Sequence, residues 1–155
     1  MPAMQDAARR LMLDCAMALD DGDFARWPLC FTADATYRIT TRRNERAGHP
    51  YSVMWCDGQA GLWDRVEALE RANLYDPHHY CHILSDTQPV AGTPDSFAGR
   101  TNFLLMRTMQ DGSTLPFLSG HYRDEVVLRD GRALFRERVV VLDQSRIDTL
   151  LVIPV

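Results

Sequence analysis

The sequence has no G-x-G-x-x-G, no G-x-x-x-x-G-K-[ST] and no G-x-S-x-G. The fingerprints of dinucleotide binding, phosphate cradling and the serine nucleophile elbow are therefore missing. No C-x-x-C pair is present either: Cys15, Cys30, Cys56 and Cys81 stand far apart, whereas tetrahedral thiolate sites recruit close pairs. All four are expected as reduced thiols, because a chain of 155 residues has core enough to fold without disulfides. No apolar run approaches the roughly 18 residues of a membrane span, and residues 1–6 lack the basic start and apolar core of a secretory signal. The expected setting is the cytoplasm. Basic residues are not in excess: 17 Lys and Arg stand against 21 Asp and Glu, for a net charge of −4. That balance argues against a dedicated nucleic-acid binder. Internal repeats, low-complexity tracts and linkers are also lacking. What remains is 46% apolar residues at low net charge, enough to collapse around one core. One domain spanning residues 1–155 is expected.

Residues 4–19 carry apolar side chains at Met4, Ala8, Leu11, Cys15 and Ala18–Leu19, the stripe of an amphipathic helix. Asp23 is positioned to cap a second helix over residues 24–31, with Pro28 confined to its first turn. A strand is expected over 36–41, a polar loop over 42–50, and a short strand over 51–55. Asp57 then precedes a helix over 58–73, with the stripe Leu62, Val66, Leu69 and an i,i+4 pair of Glu67 with Arg71. From Tyr80 the period changes from helical to alternating. Three long strands follow, 96–109, 115–129 and 133–142, separated by the hairpin signals Asp111-Gly112 and Asp130-Gly131. A two-residue turn at Asp130-Gly131 sets Glu125 against Arg136, which is favourable, but Asp124 against Glu137, which is not, so a bulge or a longer loop is expected there. Residues 149–155 read as a closing strand limited by Pro154. Helices first and a meander after is an α+β order: a curved, mainly antiparallel sheet wrapped around N-terminal helices.

Two clusters bear on chemistry. Asp76-Pro77-His78-His79-Tyr80-Cys81-His82 offers imidazoles and a thiol. On a strand, however, His78, Tyr80 and His82 share one face while His79 and Cys81 share the other, so neither face collects a metal-ligand set. His82, His121, Asp57 and Tyr37 are candidates for acid/base work inside the cone of a free-standing dehydratase, isomerase or cyclase, which requires an open pocket and a hydrogen-bonded His–Asp pair. The C-x-H…C-x-x-H pattern that binds a Rieske cluster is absent. Of the aromatic anchors Trp27, Trp55 and Trp63, the last is expected in the core beside Leu62.

From Trp27 to its end, the chain resembles the small (beta) subunits of Rieske-type aromatic-ring-hydroxylating dioxygenases. The likeness is to the aromatic-carboxylate subgroup of terephthalate, anthranilate and salicylate oxygenases. The residues that carry it are Trp27-Pro28 with Phe31-Thr32, the run Tyr37-Arg38-Ile39-Thr40-Thr41, Trp55 with Asp57, and the stretch from Asp64 to Tyr75. Tyr80 with His82-Ile83-Leu84, Gly120 with Tyr122 and Asp124, Arg138, and the final run from Asp148 to Val155 complete it. The resemblance implies the cone-shaped fold of scytalone dehydratase and nuclear transport factor type. It further implies a structural subunit with no catalytic residue, cofactor or metal of its own. Its partners would be further copies in a homotrimer and a large (alpha) subunit in an alpha3beta3 hexamer. The Rieske [2Fe–2S] cluster and mononuclear Fe(II) would reside on the large subunit, and a reductase or ferredoxin would be an indirect partner. Trp27, Trp55, Tyr75, His79, Tyr80 and His82 are the expected subunit-interface residues. Pro77, His79 and Cys81 stand where such subunits commonly carry arginine, a rigid bidentate donor that histidine and cysteine do not replace.

Overall fold

The computed structural model describes residues 2–71, 77–146, 151 and 153–155. Helix α1 (Pro2–Asp20) buries the expected stripe, Met4, Ala8, Leu11, Cys15, Ala18 and Leu19. The single helix expected over 24–31 is instead two 3-10 turns, Phe24–Arg26 and Pro28–Cys30. The Asp23 side chain makes no capping bond, and Pro28 removes the N–H that a continuous helix would need at that point. Strand β1 runs Phe31–Thr41, five residues earlier than expected. The loop expected next begins with a one-turn helix, α2 (Arg42–Arg46), because the Thr41 hydroxyl accepts the Asn44 N–H at 3.1 Å and caps it. Strand β2 (Met54–Asp57) lies slightly later than expected, with Met54 and Cys56 inward. Helix α3 (Gly58–Arg71) buries Leu62, Val66 and Leu69 and carries the Glu67–Arg71 ion pair. Five strands follow: β3 (His78–Leu84), β4 (Gln88–Gly92), β5 (Ser96–Met109), β6 (Thr114–Arg129) and β7 (Arg132–Leu142).

These make one seven-stranded mixed sheet in the order β2-β1-β7-β6-β5-β3, with β4 also on β5. The β1–β7 pairing is parallel and the other pairings are antiparallel. Strands of 14 and 16 residues cannot stay flat. The sheet curls, and α1 and α3 pack into it, α1 against β3, β5 and β7 and α3 against β1 and β2. This is the α+β cone. Among the described residues, no helix is long and apolar enough to cross a membrane. Cys15, Cys30 and Cys56 are buried and Cys81 is exposed, all as free thiols.

The closing strand expected over 149–155 lies partly outside the described residues. Leu151 and residues 153–155 are buried without strand pairing. Their backbone is satisfied differently: the Tyr37 hydroxyl donates to the Val155 carbonyl at 2.9 Å and accepts the Val155 N–H at 3.0 Å.

Register is decided at the last hairpin. Asp130 and Gly131 both take positive φ, 51° and 75°, as a two-residue primed turn requires. The ladder then runs Arg129 with Arg132 up to Val126 with Phe135, and there β7 inserts Arg136 as a bulge. Beyond the bulge Glu125 faces Glu137, and Asp124 faces Arg138 rather than Glu137. Displaced Arg136 still reaches Glu125 as an ion pair. Asp124 and Arg138 form a bidentate pair, Nε–Oδ1 and Nη2–Oδ2 both 2.8 Å, at 4% and 2% exposure. The guanidinium also lies over the Tyr122 and Phe135 rings, 4.2 and 4.0 Å from their centroids. Removing one member strands a buried charge. Asp124→Ala should therefore lose about 3–5 kcal/mol of stability by urea unfolding, and the Asp124→Leu/Arg138→Met double variant should recover much of that loss.

Candidate functional site

The interior of the cone is the natural place for chemistry, and aromatic side chains fill it. Trp27 is fully buried, edge-on to Phe31 and Tyr37 with centroids 5.5 and 5.0 Å away. Phe103 stacks on Tyr122 at 4.6 Å, Phe97 and Phe135 are buried, and Phe117 packs on the core beside Tyr80, with ring centroids 6.0 Å apart. The four acid/base candidates do not meet. Tyr37 is committed to the Val155 backbone. Asp57 ends β2 on the outer face, and His121 lies on the outer face of β6.

His82 does find a carboxylate, one the sequence reading missed. Asp20 Oδ2 accepts the His82 backbone N–H at 2.9 Å, and Oδ1 contacts its Nδ1 at 2.5 Å. The imidazole is 1% exposed, so the pair clasps the end of α1 to β3 rather than facing a substrate. A signal existed: Asp20 closes a helix whose last turn has no basic residue, where the dipole disfavours a carboxylate unless it is paired elsewhere.

The strand alternation separates the histidine cluster as expected: Tyr80 turns inward while His79 and Cys81 are exposed. Among the described residues, no three His, Cys, Asp or Glu side chains gather in a group able to hold a metal ion.

Of the expected interface residues, Trp55 is 58% exposed and His79 is exposed. Trp27 and Tyr80 are core residues, at 0% and 6% exposure, and the His82 ring is inside; their burial corrects their placement at a surface. Apolar area explains it, since Trp27 and Tyr80 fill the cone that the helices alone leave open. Tyr75 lies outside the described residues. Trp63, expected in the core, is 39% exposed, because α3 turns Leu62 and Val66 inward and leaves position 63 on its flank.

His121 sits at 8% exposure on the outer sheet face. Burial, and then the nearby Arg100 guanidinium, push its pKa below the usual histidine value. The unfolded chain therefore binds the proton more readily, and His121 costs stability as pH falls below about 6.5. His121→Gln should flatten the drop in the urea midpoint between about pH 7.5 and about pH 5.5.

The profile of ring hydroxylating beta subunits matches residues 15–149. The chain is 36% identical over 139 residues to the terephthalate 1,2-dioxygenase terminal oxygenase component subunit beta 1 of Comamonas, covering 90% of each. It is 34% identical over 137 residues to the anthranilate 1,2-dioxygenase small subunit of Burkholderia cepacia, covering 88% of this chain and 85% of that one. A crystal structure from Novosphingobium aromaticivorans, classed as the beta subunit of an aromatic-ring-hydroxylating dioxygenase, superposes with a TM-score of 0.91. It is 30% identical and the match covers 99% of this chain and 98% of that one. With a family match over most of its length and a shared cone, the chain belongs to the ring hydroxylating beta subunit family.

Proposed function

We propose that this chain is the structural, non-catalytic small subunit of a Rieske-type oxygenase that hydroxylates a carboxylated aromatic ring in aromatic-compound catabolism. The observation that carries this reading is the occupied interior. Three polar groups of the interior are engaged with the chain itself: Tyr37 with Val155, His82 through its Nδ1 with Asp20, and Arg138 with Asp124. Terephthalate and anthranilate, named in the relatives, are both aromatic carboxylates, which supports that substrate class. Under this reading three copies form a trimer in the cytoplasm that supports three large subunits. The [2Fe–2S] cluster and the mononuclear iron belong to the large chain, and electrons from a reductase or ferredoxin enter there. The small chain contributes shape and contact surface, with Trp55 and His79 as exposed anchors.

Co-expression with the large subunit tests the reading. The expected result is one species of hexameric mass by light scattering, with turnover of an aromatic carboxylate by the complex and none by this chain alone. Trp55→Ala should weaken the complex by about 2 kcal/mol while leaving the isolated chain's melting temperature within a few degrees. Turnover by the isolated chain would overturn the proposal.

A further inference from the structure

The outer face of the sheet carries a charge arrangement that the chain alone does not resolve. The register sets Arg100 of β5 directly opposite Arg123 of β6, and Glu125 of β6 directly opposite Glu137 of β7. Like charges directly opposite one another across a ladder are destabilising. Arg123 is relieved by Glu45 of α2, and Glu125 by Arg136. Arg100 and Glu137 have no ion-pair partner among the described residues; Arg100 reaches only the Asn102 side-chain oxygen, at 3.4 Å.

Between these side chains runs a groove of about 400 Å³, with Val90 standing 74% exposed at its rim. Its floor is His121, more than nine-tenths buried, whose Nδ1 has no hydrogen-bond partner among the described residues. Arg100 and Arg123 thus stand beside the His121 imidazole at one end, and Glu125 and Glu137 border the other end.

We propose that this groove seats the large oxygenase subunit, with a carboxylate side chain of that subunit entering between Arg100 and His121. This rests on the docking role proposed above and assigns it a surface. A guanidinium offers a carboxylate a bidentate, charge-assisted contact, and a neutral imidazole adds an N–H. A small free acid suits the site less well, since small-ligand sites enclose most of their ligand and this groove is open along a sheet face. A second copy offering the same face would close a two-fold pair, which a three-fold trimer does not contain.

The test is Arg100→Glu in the co-expressed complex, with Arg10→Glu on α1 as the control. The substitution turns a like-charge cross-strand pair into an opposite-charge one, so the isolated chain should melt at the same temperature or higher. The affinity for the large subunit should fall at least about tenfold, and raising NaCl from about 0.05 M to about 0.5 M should weaken the wild-type complex more than the variant. The control should match wild type. If wild type itself fails to assemble with the large subunit, the docking reading fails. If wild type assembles and Arg100→Glu binds equally well, that reading stands and the groove assignment falls. Loss of the isolated trimer with the affinity for the large subunit unchanged would place a second copy in the groove and also overturn the assignment.

Discussion

The arrangement of this fold depends on one buried ion pair. Arg138 and Asp124 sit on neighbouring strands inside the cone, and two aromatic rings lie against the guanidinium. A pair of this kind contributes modestly to net stability, because desolvation of both ions offsets much of their attraction. Its effect is on specificity. A hairpin slipped by one residue would bury Asp124 against Glu137, so the pair permits one register and penalises its neighbour. The inserted Arg136 makes that register compatible with a two-residue turn.

With the register settled, the inner face becomes a packed layer rather than a chamber. Trp27, Phe31, Tyr37, Tyr122 and Phe135 are all fully buried there. The hydroxyl of Tyr37 closes the same space by engaging the Val155 backbone. The outer face of the sheet displays alternating rows of charge, with Trp55 exposed on β2. A cone that has lost its cavity keeps a stiff, curved surface, which is what a supporting subunit needs.

Much of this was legible from residue order. Strand β5 matched its expected span, α1 buried the stripe read from Met4 to Leu19, and a charge conflict visible in the sequence pointed to a bulge or a longer loop where the bulge stands. Local chemistry hid the rest. Strand β4 has no buried position, so alternation had nothing to mark it. Helix α2 arises from one hydroxyl cap, too small a signal to outweigh a polar composition. Trp27 and Trp63 exchanged their expected roles because a tryptophan's destination depends on which side of its element faces the sheet, and that is a tertiary property. The Asp20–His82 clasp spans 62 residues and cannot be inferred from either partner's neighbours. The outer-face rows likewise exist only once the strands are in register.

The parallel pairing of β1 with β7 has a kinetic consequence. Strand β1 ends at Thr41, yet its inner-edge partner ends at Leu142, about a hundred positions further along the chain. During synthesis β1 waits with one edge unsatisfied until β7 has emerged. Long-range closure of this kind slows folding and leaves a tacky intermediate. Yield in the cell should thus be governed by how well that waiting strand is shielded, a demand on chaperones that the finished molecule no longer reveals.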